Sequence, residues 1–159
     1  MKPRIHTCLW FDTQAEEAAR FYTALFPNSR ITSVLHYGTG DPMPEGAAML
    51  VTLELDGHAL SLLNGGPHFT LSPAASLVVS CADQAEVDRC WAALSAVPEA
   101  EMCGWLVDRW GVSWQIVPQR FMERMGEPPS PARQRMTTAM RQMRKLDIAA
   151  LERAHAGTP

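Results

Sequence analysis

The sequence lacks the features of disordered, fibrous and membrane-spanning chains. Its 159 residues are 47% hydrophobic and 19% charged, which is ordinary for a globular protein. No run approaches the roughly 18 to 20 apolar residues that cross a bilayer. The short apolar stretch near the N-terminus is interrupted by Asp12 and does not resemble a signal peptide. We therefore expect no membrane partner and a cytoplasmic location.

Closely spaced cysteine pairs are also lacking. Cys8, Cys81, Cys90 and Cys103 form no Cys-x-x-Cys motif, which argues against a zinc site or a redox motif of that kind. Cys8 and Cys81 fall inside apolar strand-like runs, and Cys90 lies on an apolar helix face. We expect these three thiols to be buried and reduced, as free cysteines usually are.

An overall excess of basic residues is lacking too, and the net charge of −3 argues against a general nucleic-acid partner. The average conceals a split. Residues 1–118 carry 6 Lys and Arg against 13 Asp and Glu, giving −7, whereas residues 119–159 carry 8 against 4, giving +4. The basic tail has no Trp or Tyr. We expect it to bind the acidic body of its own chain, or that of a second copy, rather than nucleic acid.

What is present is a pattern of strands and helices that occurs twice. The first copy has a buried strand over 5–11, a helix after a capping box formed by Thr13 and Glu16, and three further strands. Asp56-Gly57 between the last two strands is typical of a type I′ hairpin turn. The second copy begins with a strand over 75–80 and a capping box formed by Asp83 and Glu86. Its last strands cover 104–108 and 112–118.

The two copies also share a short identical sequence, since Gln14-Ala15-Glu16 recurs as Gln84-Ala85-Glu86. The sequence therefore predicts an α+β fold built from two tandem βαβββ modules, residues 1–66 and 67–118, within a domain of residues 1–118. Residues 119–159 form a C-terminal helical extension. There, Ser130 with Pro131 begins one helix and Asp147 begins another. Met residues line one face of the extension, which either closes the core or docks on a second subunit of a homodimer.

Several stretches resemble the vicinal oxygen chelate superfamily, and within it the PhnB-like subgroup labelled as 3-demethylubiquinone-9 3-methyltransferase domain proteins. The last stretch is the most specific. The stretches are Leu9-Trp10-Phe11-Asp12, Glu17-Ala18, Phe21-Tyr22, Leu25-Phe26-Pro27, Asn64 to Phe69, Gln84 to Asp88 with Trp91 and Leu94, and Cys103 to Pro118.

The resemblance implies a cup-shaped mixed sheet, the glyoxalase/bleomycin resistance/dioxygenase fold. In metal-dependent members the cup holds a divalent ion on His, Gln or Glu side chains. In this chain the last-strand position is Gln115, the first-strand position offers His6, and the strand that opens the second module offers Ser76. We expect no tightly held metal, because only His6 and Gln115 remain as candidate ligands and an amide oxygen is a weaker ligand than a carboxylate.

Five residues are the predicted ligand contacts. Gln115 is expected to donate a hydrogen bond on the floor of the cup, near Ser76 and an apolar wall that includes Trp105. Asn64 and His68 belong to a glycine-rich connection that we expect at the rim. No catalytic group is identified, because no acid–base pair or Ser/His/Asp arrangement follows from spacing alone.

The preferred function is the binding of a small, partly apolar molecule in the cup. The alternatives are a metal-assisted enzyme of the glyoxalase, lyase or dioxygenase type and an interaction module that docks a partner through its basic helices. Methyl transfer is not expected. The only glycine-rich turn after a strand, Tyr37 to Asp41, is followed by Pro42 and Pro44, which do not allow the helix that a nucleotide-binding turn requires.

Overall fold

Two sheets of similar topology follow one another along the chain. The computed structural model describes residues 4–158 and divides into a first unit, Met1–Leu71, and a second unit, Ser72–Pro159. Within those residues no helix is long and apolar enough to cross a membrane. The elements of the first unit are β1 (Thr7–Phe11), α1 (Ala15–Leu25), β2 (Arg30–His36), β3 (Ala48–Leu55) and β4 (His58–Asn64). Those of the second unit are β5 (Leu77–Cys81), α2 (Gln84–Leu94), a 3-10 turn (Pro98–Ala100), β6 (Trp105–Val107), β7 (Ser113–Pro118), α3 (Gln119–Gly126), α4 (Pro131–Met140) and α5 (Ile148–Ala156).

The first unit is a four-stranded sheet with α1 on one face. The strand order is β1-β4-β3-β2, in which β1 runs parallel to β4 and the other pairs are antiparallel. The predicted hairpin between β3 and β4 is confirmed, because Asp56 and Gly57 have φ values of 44° and 84°. Alternate strand residues such as Val51 and Leu62 are fully buried and face α1, whose buried side is mostly alanine. Small side chains let the helix lie close to the sheet.

One predicted cap in the first unit is wrong. α1 begins at Ala15, and its N-cap residue Gln14 makes no side-chain cap. The N–H of Ala15 instead donates to Oδ1 of Asn64 at 2.8 Å, from the end of β4. A side chain 49 residues away therefore performs the role that the local motif assigned to Thr13.

The second unit repeats this topology with one strand fewer among the residues described. Its order is β5-β7-β6, with β5 parallel to β7 and β6 antiparallel to it. The strand expected after α2 is replaced by the 3-10 turn and a single bridge between Met102 and Trp105. Pro98 starts that turn, and a proline cannot donate a strand hydrogen bond. The predicted cap of α2 is confirmed, since Asp83 accepts from the N–H of Glu86 at 2.8 Å.

The tail packs onto the second unit of its own chain. Ser130 and Asp147 cap α4 and α5 as predicted. The amide of Gln84 donates to the carbonyl of Leu146 and accepts from the N–H of Ile148. A buried cluster joins the end of β7 to the three tail helices; its members are Val117, Phe121, Met136, Leu146 and Leu151.

Candidate functional site

Each sheet has one face covered by its own helix, α1 or α2, and an opposite face that neither of these two helices covers, which we call the helix-free face. In the second unit the tail helices reach the Val117 end of this face. Because strand side chains alternate, the residues between the buried ones lie on this second face. In the first unit it includes His6, Cys8, Trp10, Ser61 and Leu63. In the second unit it includes Ser76, Val78, Trp105, Ser113 and Gln115.

A histidine–serine pair lies on the helix-free face of the first unit. Nε2 of His6, just before β1, is 2.8 Å from Oγ of Ser61 on β4. Ser61 is only 2% exposed, whereas His6 is exposed. The buried hydroxyl therefore fixes one nitrogen of an accessible imidazole, and the ring remains able to exchange a proton or a hydrogen bond with a ligand.

A serine–glutamine pair lies on the helix-free face of the second unit. Nε2 of Gln115 donates to Oγ of Ser76 at 2.9 Å. Trp105 on β6 is the cross-strand neighbour of Gln115, so the two side chains share this face. The structure thus brings together three of the five predicted contacts within one unit.

The strand register makes the two pairs equivalent. β1 and β4 end with Phe11 opposite Asn64, and β5 and β7 end with Cys81 opposite Pro118. His6 and Ser76 each lie five residues before the end of the first strand of their unit. Ser61 and Gln115 each lie three residues before the end of the last strand. The sequence analysis missed Ser61. An alignment of the last strands of the two repeats would have shown that Ser61 occupies the position equivalent to Gln115.

The other two predicted contacts, Asn64 and His68, lie in a different setting. Asn64 is 4% exposed and uses its amide inside the first unit, accepting from Ala15 and donating to the carbonyl of Ala48 at 2.9 Å. His68 is exposed in the connection that follows β4. Ligand contact by these two residues remains a prediction, and the function proposed below does not depend on it.

Trp10 holds that connection against the sheet. Its indole donates to the carbonyl of Gly66 at 2.8 Å, and its ring meets Phe69 edge-on at 4.8 Å between centroids. A Cβ on Gly65 would lie 2.2 Å from the indole ring, so glycine is required there. The sequence analysis did not assign Trp10 or Phe69 a function, yet Trp10 lies on the same sheet face as the histidine–serine pair.

Ser113 was missed as well. It is 3% exposed, and its hydroxyl is buried without a hydrogen-bond partner. By alternation it lies on the same face as Gln115, two residues earlier on β7. An unpaired buried hydroxyl is costly, so this position offers a hydrogen bond to any group that reaches it.

The cysteines match the burial predictions in part. Cys81 and Cys90 are fully buried, as expected. A hydrogen bond between the two thiols, together with burial, raises the pKa of Cys81. Cys8 is exposed, contrary to prediction, because its parity on β1 places it on the helix-free face. Desolvation still raises the pKa of the Cys8 thiol above its ordinary value, which keeps it protonated and a poor nucleophile at neutral pH.

The repeated topology and the equivalent polar pairs define a protein of the vicinal oxygen chelate superfamily. More narrowly, residues 3–117 match the family described as 3-demethylubiquinone-9 3-methyltransferase, and the chain belongs to that family.

Solved structures agree with this assignment. The PhnB protein of Bacillus cereus is 34% identical, with 73% of this chain and 99% of that one covered, at a TM-score of 0.63. Protein PA1353 from Pseudomonas aeruginosa is 22% identical, with 71% and 95% covered, at a TM-score of 0.54, and supports the fold alone. No curated protein matches the chain.

The donor set does not fit the divalent metal that the superfamily implies. Within residues 4–158, no three His, Cys, Asp or Glu side chains cluster closely enough to hold an ion. The two pairs offer one imidazole, two hydroxyls and one amide, and they include no carboxylate. Such a set lacks the anionic ligands that hold divalent cations in most protein sites.

Proposed function

We propose that the protein binds a small, partly apolar molecule on the helix-free sheet faces, at the polar pairs. The observation that carries this proposal is the equivalence of the two pairs. The two units have different sequences, yet each has a hydrogen-bonded polar pair at the same position of its sheet. We infer that both pairs contribute to ligand binding. Neither pair contains a carboxylate, an ammonium or a guanidinium group, so both suit a neutral carbonyl or hydroxyl group on the ligand.

The surroundings of the pairs support an apolar body for that ligand. Trp10 and Leu63 adjoin the first pair, and Trp105 adjoins the second; all three are half-buried. Aromatic and aliphatic walls with a few placed polar groups are typical of small-molecule sites.

Methyl transfer is not part of the proposal. The glycine-containing loop over 38–46 follows β2 and leads into β3, so no helix N-terminus follows it to receive a nucleotide. Metal-assisted chemistry is not proposed either, because the neutral donor set does not fit an ion. We also propose that the protein forms a homodimer.

The test is ligand-observed NMR on the full chain with small molecules that carry one carbonyl or hydroxyl group, such as phenol and cyclohexanone. Losing one ligand hydrogen bond, worth roughly 0.5–1.5 kcal/mol, should weaken binding about 2- to 13-fold in Gln115→Ala and in Ser61→Ala. Gln142→Ala, an exposed glutamine on the tail, is the matched control. If no fragment binds, the function is wrong; if Gln115→Ala and Ser61→Ala bind as the wild type does, the site is wrong.

A further inference from the structure

The basic tail carries a groove that the family domain does not include. The family match ends at residue 117, and α3 begins at Gln119. The groove has a volume of about 720 Å³ and lies along α4. Its lining combines Met and Pro side chains with hydroxyl, amide and guanidinium groups, from Met125, Pro129, Ser130, Pro131, Arg133, Gln134, Thr137, Thr138 and Arg141.

The charge of this groove is not neutralised from within the chain. Among the described residues, four of the eight Lys and Arg residues of the tail form ion pairs with carboxylates, among them Lys145 with Asp88 and Arg120 with Glu152. Arg133 donates to a backbone carbonyl, and over residues 4–158 neither it nor Arg141 forms an ion pair. No carboxylate lines the groove. A groove with two guanidinium groups and an apolar wall fits an acidic, partly apolar segment.

This chain contains such a segment. No Lys or Arg occurs between Arg30 and Arg89. Within that stretch the loop over 38–46 is exposed except for half-buried Met43, and it carries Asp41 and Glu45 on either side of Pro42-Met43-Pro44. Neither carboxylate forms an ion pair within the part of the chain that is described.

The spacing of the charges allows such a contact. Asp41 and Glu45 are four residues apart in a loop that contains turns, so their separation is less than the roughly 13 Å of an extended chain. Arg133 and Arg141 are eight residues apart along α4, which is about 12 Å at the helical rise. The proline and methionine side chains between the two carboxylates correspond to the Met and Pro wall of the groove.

We propose that the groove on α4 receives the loop over 38–46 of a second copy of this chain. A two-fold dimer makes this contact twice, because the loop of each copy enters the groove of the other. This inference rests on the homodimer in the proposed function and is independent of the small-molecule site.

The test uses two single charge reversals and their mixture. In Arg141→Glu alone the reversed groove repels the loop, and in Glu45→Arg alone the reversed loop repels the groove. Mixing the two proteins lets each altered groove meet an altered loop, while the other contact is native. We expect each variant alone to raise the dimer dissociation constant roughly tenfold or more, because two contacts worth about 0.2–1 kcal/mol each become repulsive. The mixture should recover the wild-type value, measured by analytical ultracentrifugation.

Arg153→Glu is the matched control, because it also reverses an arginine near the C-terminal end of a tail helix but lies outside the groove. A wild-type chain that stays monomeric overturns the homodimer and this inference together. A dimer that survives both reversals, weakens equally in Arg153→Glu, or is not recovered in the mixture overturns the groove alone. None of these outcomes bears on the small-molecule site, which the NMR experiment tests.

Discussion

The two units differ in what lies beside the third strand of the repeat. In the first unit β3 is flanked by β4 and β2, whereas in the second unit its counterpart β6 pairs with β7 only. Just before β6, the N–H groups of Cys103 and Gly104 donate to the carbonyls of Met143 and Arg144, both at 2.8 Å. The tail thus supplies backbone partners that a fourth strand supplies in the first unit. The comparison teaches that the tail is part of how the second unit folds.

The largest expected effect tests that lesson directly. Leu146 is 1% exposed and packs close to Gly104. Replacing Leu146 with Ala should lower the free energy of unfolding by about 2–5 kcal/mol, the usual cost of a buried leucine, measured by chemical denaturation. Leu35→Ala, at a leucine that is 49% exposed in the first unit, should cost less than about 0.5 kcal/mol. Equal small losses would mean that the tail is only an appendage.

The second prediction concerns how the chain leaves each sheet. After β4 it passes through Gly65 against the Trp10 ring, whereas after β7 it enters α3 directly. The second unit has the small Ser80 at the position equivalent to Trp10, so a helix can begin there. Gly65→Ala should therefore cost roughly 1–3 kcal/mol through overpacking against the indole.

Gly126→Ala is the control for this prediction, since a Cβ at Gly126 meets nothing within 4 Å. It should be neutral or slightly stabilising. Combining Gly65→Ala with Trp10→Ala should cost less than the sum of the two changes, because the clash disappears. Additive losses would show that the indole is not the obstacle.

A third, smaller effect separates the paired hydroxyls from the unpaired one. Ser61→Ala removes a buried hydrogen bond to His6 and should cost about 0.5–1.5 kcal/mol. Ser113→Ala removes a buried hydroxyl that has no partner and should be neutral or stabilising. Denaturation of both variants measures this difference. A loss in Ser113→Ala as large as that in Ser61→Ala would contradict the pairing described for the helix-free faces.

Sequence signals between neighbouring residues predicted most helices and turns correctly. The wrong cap of α1 arose from a contact between residues that are far apart in the sequence. The Asp56-Gly57 turn and the Asp83 cap depend on neighbouring residues, and both formed as expected. The cap of α1 comes from Asn64, which only the register of β4 brings near. The strand missing from the second unit is replaced by a turn that begins at Pro98, and the repeat pattern alone did not indicate that replacement.

The candidate site was predicted in part for the same reason. Ser76 and Gln115 were named from the family resemblance and Trp105 as part of an apolar wall, and the three do share one face. Ser61 was missed because its partner His6 lies 55 residues earlier, just before the strand β1 that pairs in parallel with β4. Parity alone could not fix which face Cys8 occupies, since a shift of one residue reverses it.

The smallest expected effect tests the attachment of the tail to α2. Hydrogen bonds from Lys145 and Gln84 lower the pKa of the exposed Asp88 carboxyl from its ordinary value of 3.8. A carboxyl whose pKa is lower in the folded protein stabilises it above the ordinary pKa, and this stabilisation is lost as the pH falls through the folded value. Asp88→Asn should therefore lower Tm slightly at pH 7, and the difference in Tm between variant and wild type should begin to shrink below about pH 4 and vanish below the lowered folded pKa.

Lys145→Gln removes the same pair from the tail side and should reproduce that convergence, whereas added salt should shrink the difference at pH 7 because both side chains are solvent-accessible. The tail belongs to the second unit. The loss of the Lys145–Asp88 ion pair in acid should therefore weaken the second unit and leave the first unit unchanged. A Tm difference that persists unchanged at pH 3 would show that Asp88 acts through something other than its charge. The tail would then be held by the buried Leu146 cluster without help from this ion pair.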